Sequence, residues 1–141
     1  MPVAVHAAAT VVGVGTDLVA VDRLAAALAR RPALADRLFT PDELATTAGG
    51  SPAGRVRSLA ARLAAKEAVM KALGAGMGRI AFADIEITGG RGRSPEVALH
   101  GRADAVAQAL GVGSVAISMS HDAGLASAVA VASGRCTCDP S

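Results

Sequence analysis

Two acidic residues and two lysines have the types and spacing that suit a metal ion and a phosphate ester. Glu67 lies between Lys66 and Lys71, the only two lysines among the 14 lysine and arginine residues. Asp17 lies fifty residues before Glu67. Mg²⁺ prefers one or two carboxylates together with phosphate oxygens and water, and an ammonium group neutralises phosphate charge. These side chains, if brought together, are typical of a site for a divalent cation and an anionic oxygen.

The same residues also have a purely structural interpretation. Glu67 and Lys71 are four residues apart, so on a helix they form an ion pair worth a few tenths of a kcal/mol. The neighbouring sequence is otherwise poor in polar side chains, and burying a charge without a partner is costly. The spacing alone leaves both interpretations open.

The stretch that positions Glu67 predicts one long helix from Arg55 to Leu73. It has no proline or glycine and is rich in strong helix formers. It ends at Gly74, the residue type that most readily takes the left-handed conformation closing a helix. Leucine and alanine surround most of its circumference, which is typical of a helix buried on more than one side. The rest of the chain is therefore expected to pack around it.

The flanking segments predict an α+β domain whose mostly antiparallel sheet packs on this long central helix. Strands are predicted over residues 10–16, 84–88, 96–100, 115–120 and 125–132. Further helices are predicted over residues 18–29, 40–48 and 102–110. Thr40 and Glu43 have the spacing of a capping box. A single domain is expected over residues 1–141, with flexible ends over 1–9 and 134–141.

Three further features have both a structural and a functional interpretation. Asp17 ends the first predicted strand, where it serves a site or caps a helix. His121 opens a predicted turn over residues 121–124, either as a simple turn residue or as a contact to phosphate or adenine. The glycine-rich segment 74–78 is either a turn or a backbone approach to a phosphate.

Arginines decorate the first predicted helix. Arg23, Arg30 and Arg31 form either a solvated face or a surface for an acidic partner. Both interpretations are open from the sequence pattern.

The composition limits the classes of partner and location. The chain is 52% hydrophobic and 18% charged, which indicates a globular protein. An aromatic content of 1% nearly excludes base stacking, and a net charge of +2 attracts polyanions weakly, so no nucleic-acid partner is expected. The apolar stretch before Asp17 lacks a basic region and is too short to cross a bilayer. A cytoplasmic soluble protein without a membrane partner is expected.

The two cysteines lie near the end of the chain. Cys136 and Cys138 form a lone C-x-C, which lacks the four ligands of a structural zinc site. No zinc is expected there.

Three motifs, in order, resemble those of the holo-acyl-carrier-protein synthase family, the AcpS-type 4′-phosphopantetheinyl transferases. They are GVGTDLVAVDR at 13–23, ARLAAKEAVMKALG at 61–74 and SMSH at 118–121. The resemblance covers residues 11–132. It implies the 4′-phosphopantetheinyl transferase-like fold. It also implies transfer of the phosphopantetheine arm of coenzyme A to a serine of an apo acyl carrier protein, with release of adenosine 3′,5′-bisphosphate.

The resemblance assigns catalytic roles to three residues. Asp17 and Glu67 match magnesium ligands, and Lys71 matches a lysine near the pyrophosphate. Glu67, directly or through a water molecule, is the best candidate to accept the serine proton. Lys71 would stabilise the leaving group. Ala20 departs from the family pattern, which often has an acidic residue there.

The resemblance also assigns binding residues and an assembly. The residues implied to contact the phosphates and nucleotide of coenzyme A are Arg62, Lys66, Lys71 and His121. Arg23 matches a basic residue that faces the acidic recognition helix of the carrier, and Arg30 is a second candidate for that contact. The family implies a homotrimer with active sites at the subunit interfaces.

Two other functions are compatible with these motifs. One is a coenzyme A or nucleotide-binding module without catalysis, and the other is a structural trimeric adaptor in which Glu67 pairs only with its neighbouring lysines. Replacing Glu67 with glutamine separates the transferase from the adaptor. Fatty-acid, polyketide and peptide-synthetase carriers all present a serine near acidic helices, so the carrier class stays open.

Overall fold

The computed structural model describes residues 10–75, 78–90 and 92–135. The helices are α1 (Val21–Arg30), α2 (Leu34–Leu38), α3 (Pro41–Thr47), α4 (Pro52–Ala72) and α5 (Gly101–Ala109). The strands are β1 (Val11–Ala20), β2 (Ile85–Gly90), β3 (Arg93–Leu99), β4 (Val112–Asp122) and β5 (Leu125–Gly134). A 3₁₀ turn over Phe82–Asp84 precedes β2. The predicted α+β class is confirmed.

Two antiparallel sheets surround the long helix. The larger sheet has the order β1-β5-β4, and β2 and β3 form a separate hairpin. Cross-strand rows in the larger sheet alternate between its two faces. Two successive rows on one face point toward α4. They are Gly15–Ala130–Ile117 and, two residues further along β1, Asp17–Ala128–Met119. The sheet therefore presents small residues from β1 and β5, larger apolar residues from β4 and one carboxylate to the central helix.

Glycines on β1 allow its backbone to approach α4 directly. A Cβ added at Gly13 would lie 1.9 Å from the carbonyl oxygen of Ala72, and one at Gly15 would lie 1.9 Å from that of Ala68. Any side chain at either position would overlap the helix backbone. This close approach brings the strand carrying Asp17 alongside the helix carrying Glu67.

The central helix confirms the prediction and starts three residues earlier. Ser51 is its N-cap and accepts a hydrogen bond from the backbone N–H of Gly54 at 3.1 Å. Pro52 occupies the first turn, where its missing N–H costs nothing. The helix ends before Leu73, and Gly74 follows with φ +66°. The predicted closure by glycine is therefore confirmed.

Strand β1 is longer than predicted, which corrects two boundaries. It continues to Ala20, so Asp17 lies inside the strand instead of at its end. Leu18 pairs with Ser127 on β5, and α1 begins only at Val21. The apolar spacing predicted Leu18 as the first residue of a helix. In the structure Leu18 belongs to the sheet instead and lies on the face away from α4.

Two turn predictions have different outcomes. The capping box is confirmed, because Thr40 Oγ1 accepts from the Glu43 N–H and Glu43 Oε1 accepts from the Thr40 N–H. The turn predicted over residues 121–124 is shorter than expected. His121 and Asp122 belong to β4, and Ala123 and Gly124 alone connect it to β5.

Some predictions fall outside the described residues. These are the flexible N-terminal end over 1–9, the cysteines at 136 and 138, and residues 76 and 77 of the glycine-rich segment. At the other end, β5 extends to Gly134, the first residue of the segment predicted as flexible. In the ranges with assigned structure, no helix combines the length and apolarity needed to span a membrane.

No helix of the described residues packs on the outer face of the larger sheet. Rows here include Val14–Val131–Ala116 and Thr16–Val129–Ser118. Val14 is 58% exposed, Leu18 66% and Val129 42%. Several exposed apolar side chains therefore share this face of the sheet.

Candidate active site

Asp17 and Lys71 form one ion pair at the β1 edge of the sheet. Lys71 Nζ donates to Asp17 Oδ1 at 3.0 Å and to the backbone carbonyl of Thr16 at 2.9 Å. The Asp17 side chain is only 12% exposed, whereas that of Lys71 is 57% exposed. The lysine predicted to pair with Glu67 along the helix thus binds the aspartate of β1.

Glu67 lies beside this pair and is half-buried. Burial raises the pKa of Glu67 to about 7, and the neighbouring Asp17 carboxylate contributes to the rise. Lys71 acts in the opposite direction and does not cancel these effects. Two carboxylates therefore share one site with too little positive charge to keep both ionised at low cost.

The donor set of this site fits a hard divalent cation. Asp17 Oδ2 is buried and has no hydrogen-bond partner in the described part of the chain. An unpaired carboxylate oxygen next to a carboxylate of raised pKa is the arrangement that a bound cation would neutralise. No cluster of three or more His, Cys, Asp or Glu occurs in ranges 10–75, 78–90 and 92–135. A cation bound by two carboxylates leaves positions for water and phosphate, as Mg²⁺ prefers.

Arg62 occupies a different side of α4. Its Nη1 donates to Ser58 Oγ at 2.5 Å, and its Nη2 donates to the carbonyl of Gly89 at 3.1 Å. Its side chain is buried, which lowers its pKa, and the charge of Glu43 partly offsets that effect. Arg62 thereby ties α4 to the end of β2, where the hairpin tip begins.

His121 and Arg62 line the same cavity of about 420 Å³. The cavity lies between α4, the end of β4 and the glycine-rich tip of the β2–β3 hairpin. An adjoining cavity of about 360 Å³ is bounded by Arg62, Arg93 and the hairpin glycines. The predicted nucleotide-contacting residues Arg62 and His121 are thus brought together. The predicted phosphate residue Lys71 does not line these two cavities.

The carboxylate pair and the Arg62–His121 cavity lie on opposite sides of α4. Arg62 and Lys71 are nine residues apart, which at about 100° per residue places them half a turn from each other. Lys71 faces β1, at one edge of the larger sheet, and Arg62 faces the β4 side. The described chain therefore has two separate groups of candidate site residues, which we call half-sites.

Comparisons with known proteins agree with this geometry. The family model of the 4′-phosphopantetheinyl transferase superfamily matches residues 13–128. The chain belongs to this superfamily. The match contains both half-sites, from the strand that carries Asp17 to the end of β4.

Two relatives with about half of their residues identical to this chain are both named holo-[acyl-carrier-protein] synthase. The holo-[acyl-carrier-protein] synthase of Moorella thermoacetica is 49% identical over 83% of this chain and 90% of its own length. The holo-[acyl-carrier-protein] synthase of Streptomyces coelicolor is 50% identical over 89% of this chain and 99% of its own length. The resemblance predicted from the three motifs is confirmed.

Solved structures share the fold of this superfamily member. The holo-ACP-synthase of Plasmodium yoelii has a TM-score of 0.80 and 28% identity, and covers 91% of this chain and 98% of its own. The Helicobacter pylori holo-[acyl-carrier-protein] synthase, solved in complex with coenzyme A, has a TM-score of 0.72 and 30% identity. That match covers 84% of this chain and 98% of the other. The predicted transferase-like fold is confirmed.

Lys66 does not belong to either half-site, which corrects the prediction that it contacts coenzyme A. Its side chain has no exposed surface. Its Nζ donates to the carbonyls of Leu38 and Phe82, at 2.8 Å and 3.1 Å, and to the carboxylate of Glu43. All three ammonium protons are therefore used inside the fold.

Arg57 is a site residue that the sequence motifs did not identify. It lies on the exposed surface of α4 and lines the cavity of His121 together with Arg62. It also lines a larger neighbouring groove of about 740 Å³ beside α1. Helical spacing could not have indicated it, because Arg57 and Arg62 are five residues apart, about 140° around the helix. It resembles an ordinary solvated arginine in the sequence.

The predicted carrier-contact residues are exposed on α1. Arg23 lies in the first turn and Arg30 is the last residue of the helix. They are seven residues apart, which places both on one side of α1, about 10 Å from each other along its axis. Arg31 follows the helix and is also exposed. The structure places this row of guanidinium groups at the surface.

Proposed function

We propose that this protein transfers the 4′-phosphopantetheine group of coenzyme A to a serine hydroxyl of an apo acyl carrier protein. Adenosine 3′,5′-bisphosphate is the second product. The observation that carries the proposal is the juxtaposition of Asp17, Glu67 and Lys71, which suits a cation and a pyrophosphate. The similarity to holo-[acyl-carrier-protein] synthases over most of the chain supports the same reaction.

Mg²⁺ is the proposed cofactor, held by Asp17 and Glu67. The unpaired Oδ2 of Asp17 and the raised pKa of Glu67 support this assignment. When bound, the cation would neutralise charge on the pyrophosphate as the phosphorus–oxygen bond breaks. Lys71, already held by Asp17 and the Thr16 carbonyl, would keep an ammonium group near the same phosphate.

Positioning and proton removal are the tasks of the protein side chains. The serine oxygen forms a bond to the phosphorus of the phosphopantetheine, and the bond from that phosphorus to the bridging oxygen breaks. The serine proton passes to Glu67, directly or through a water molecule. Lys71 stabilises the negative charge that appears on the departing bisphosphate. No covalent intermediate with the protein is required.

The Arg62–His121 cavity is the proposed nucleotide half-site. Coenzyme A carries a 3′-phosphate and an adenine in addition to its pyrophosphate. Arg57, Arg62 and His121 provide three nitrogen-bearing side chains around one cavity, which suits a phosphate monoester next to an aromatic base. Lys66 is not included in this assignment.

We propose that active sites form between copies of the chain in a homotrimer. Two observations support this. The carboxylate pair and the nucleotide cavity lie half a turn apart on α4, and Asp17, Glu67 and Lys71 do not line that cavity. The outer sheet face around Val14, Leu18 and Val129 is exposed and apolar, so a second copy can cover it.

Arg23 and Arg30 are the proposed contact to the carrier. Their shared side of α1 presents two positive groups about 10 Å apart, which complements an acidic helix. The carrier class, whether fatty-acid, polyketide or peptide-synthetase, is decided by assays with each apo carrier. Charge reversal at Arg23 is expected to raise KM for the carrier and to leave KM for coenzyme A unchanged.

A glutamine at position 67 tests the transferase assignment. Glu67→Gln keeps the shape of the side chain and removes its charge, so we expect turnover to fall by at least about a hundredfold while the fold is retained. Glu96→Gln, at an exposed position of β3, is the matched control and is expected to keep full activity. Equal activity of Glu67→Gln and wild type, with only a change in stability, would favour the structural adaptor.

Mixing two inactive variants tests the shared site. Glu67→Gln removes one half-site and His121→Ala removes the other. If each site combines halves from two copies, dissociating and reassembling an equimolar mixture restores about a quarter of wild-type activity. No recovery after verified subunit exchange would show that each site lies within one copy.

A further inference from the structure

The buried pair of Lys66 and Glu43 lies outside both half-sites and is connected to one of them. Neither side chain is exposed by more than 1%. The ammonium group of Lys66 contacts the Glu43 carboxylate and two backbone carbonyls, those of Leu38 and Phe82. It also lies over the ring of Phe39, 5.4 Å from its centre. One lysine thereby joins α4 to the end of α2 and to the 3₁₀ turn before β2.

Glu43 extends these connections to the β2–β3 hairpin. Its Oε1 accepts from the Thr40 N–H at 2.9 Å as part of the capping box. Its Oε2 accepts from the backbone N–H of Ile87 at 3.1 Å. Thr40 Oγ1 also donates to Glu86 Oε2 at 2.7 Å. The carboxylate that neutralises Lys66 therefore holds β2 by its backbone.

Arg62 makes the second connection between α4 and this hairpin. It lies one turn before Lys66 on α4, and its Nη2 donates to the carbonyl of Gly89, two residues after Ile87. Gly90 follows directly and lines the cavity that Arg62 and His121 also line. A Cβ at Gly90 would lie 3.3 Å from Arg62 Nη2. Two cationic side chains on successive turns of α4 therefore fix the wall of the nucleotide cavity.

Stability alone is a weak explanation for this pair. Removing two charges from water is costly, and apolar replacements of buried ion pairs are often neutral or stabilising. The directional hydrogen bonds of Lys66 and Glu43, by contrast, fix the distance between α4 and β2. That distance sets the width of the cavity in which the nucleotide is proposed to bind.

We infer that Glu43 and Lys66 are positioning residues for coenzyme A, acting through the β2–β3 hairpin and Arg62. The inference rests on the proposed function for the identity of the ligand. Loosening the pair would let the hairpin tip move relative to α4 and misplace the nucleotide. Asp17 and Lys71, on the other side of the helix, would keep their contacts.

The test compares a variant in which both buried charges are removed with a control variant chosen to lower the free energy of unfolding by a similar amount. In Glu43→Gln/Lys66→Met no buried charge is left without a partner, and Glu43→Asp, which keeps the charge and shortens the side chain, is the milder second variant. Val112→Ala, a core truncation in β4 away from both half-sites, is the matched control. Melting temperature, coenzyme A affinity by calorimetry, and KM and kcat are measured where circular dichroism shows all variants folded.

The expected result is a rise in KM and Kd for coenzyme A of at least about tenfold with kcat nearly unchanged. Val112→Ala is expected to lower the melting temperature without this rise. Variants of the pair that match Val112→Ala in every readout would overturn the inference. Failure of wild type to transfer phosphopantetheine would contradict the proposed function alone, because the calorimetric comparison still decides the positioning role.

Discussion

Glu67 is the residue whose protonation determines what the carboxylate site can bind. Burial and the Asp17 carboxylate raise its pKa from 4.5 to about 7. The unfolded chain releases the same proton near the ordinary value, so rising pH favours the unfolded state across the interval between the two pKa values. The free energy of unfolding of the metal-free protein should therefore contain a contribution that is lost between these pH values.

Urea unfolding of wild type and Glu67→Gln tests this contribution. For metal-free wild type we expect the free energy of unfolding to fall from about pH 5 to about pH 7 relative to the glutamine variant, and then to stay level. Glutamine does not titrate, so its curve reports all other groups. Parallel curves for the two proteins would show that Glu67 has its ordinary pKa.

The two lysines that flank Glu67 show how far residue type and spacing can predict a site. Lys66 and Lys71 flank Glu67 in the motif, and the structure buries the first and exposes the second. The sequence could not reveal the partner of Lys66. Glu43 is already explained by the capping box, and its second role depends on tertiary packing of α3 against α4.

Two elements position the carboxylates, and their contact depends on glycines. The sequence shows that Gly13 and Gly15 alternate along β1 and that α4 is rich in alanine. Their function appears only when β1 lies on the helix, because each glycine faces a helix carbonyl. This is why Asp17 could be predicted as a site residue but not as a residue inside a strand.

Replacing Gly15 with alanine tests this contact. The new Cβ would overlap the carbonyl of Ala68, so α4 must move away from β1. We expect a loss of about 2–3 kcal/mol in the free energy of unfolding and weaker cation binding. Gly50→Ala is the control, since nothing lies within 4 Å of its added Cβ. Equal stability of the two variants would contradict the close packing of β1 on α4.

The turn between β4 and β5 contains a residue in an unfavourable conformation. Ala123 has φ +49° and is followed by Gly124 with φ +76°, the backbone of a type I′ turn that favours Asn or Gly at its first position. We expect Ala123→Gly to raise the free energy of unfolding by about 0.5–1 kcal/mol. Ala26→Gly, in the exposed part of α1, should have the opposite sign. Destabilisation by both would contradict the strain at Ala123.

At the scale of the whole molecule, the outer sheet face is the proposed interface with another copy of the chain. Larger residues alternate with Gly or Ala along β1 and β5, and apolar residues alternate with Ser along β4, so the sequence predicted these strands correctly. A single sequence does not specify which face packs on the helix and which on another copy. In the proposed assembly, the half-turn separation of Arg62 and Lys71 is explained by sites that are shared between copies.

A glutamate at position 18 tests the role of this face. Leu18 is 66% exposed in one chain, and a charge there would be buried in the assembly without a partner. We expect Leu18→Glu to run near the 13.9 kDa of one chain in light scattering, in place of about three times that mass, and to lose transfer activity. Leu110→Glu, exposed beyond α5, is the control. Retention of the assembly by Leu18→Glu would contradict this interface.

The most direct measurement is the intact mass of an apo acyl carrier protein after incubation with this protein, coenzyme A and Mg²⁺. Metal removal by EDTA and the Glu67→Gln variant serve as controls. We predict a gain of one phosphopantetheine group in the complete reaction and no gain in either control. An unchanged carrier mass with fatty-acid, polyketide and peptide-synthetase carriers, despite measurable binding of coenzyme A, would contradict the transferase assignment.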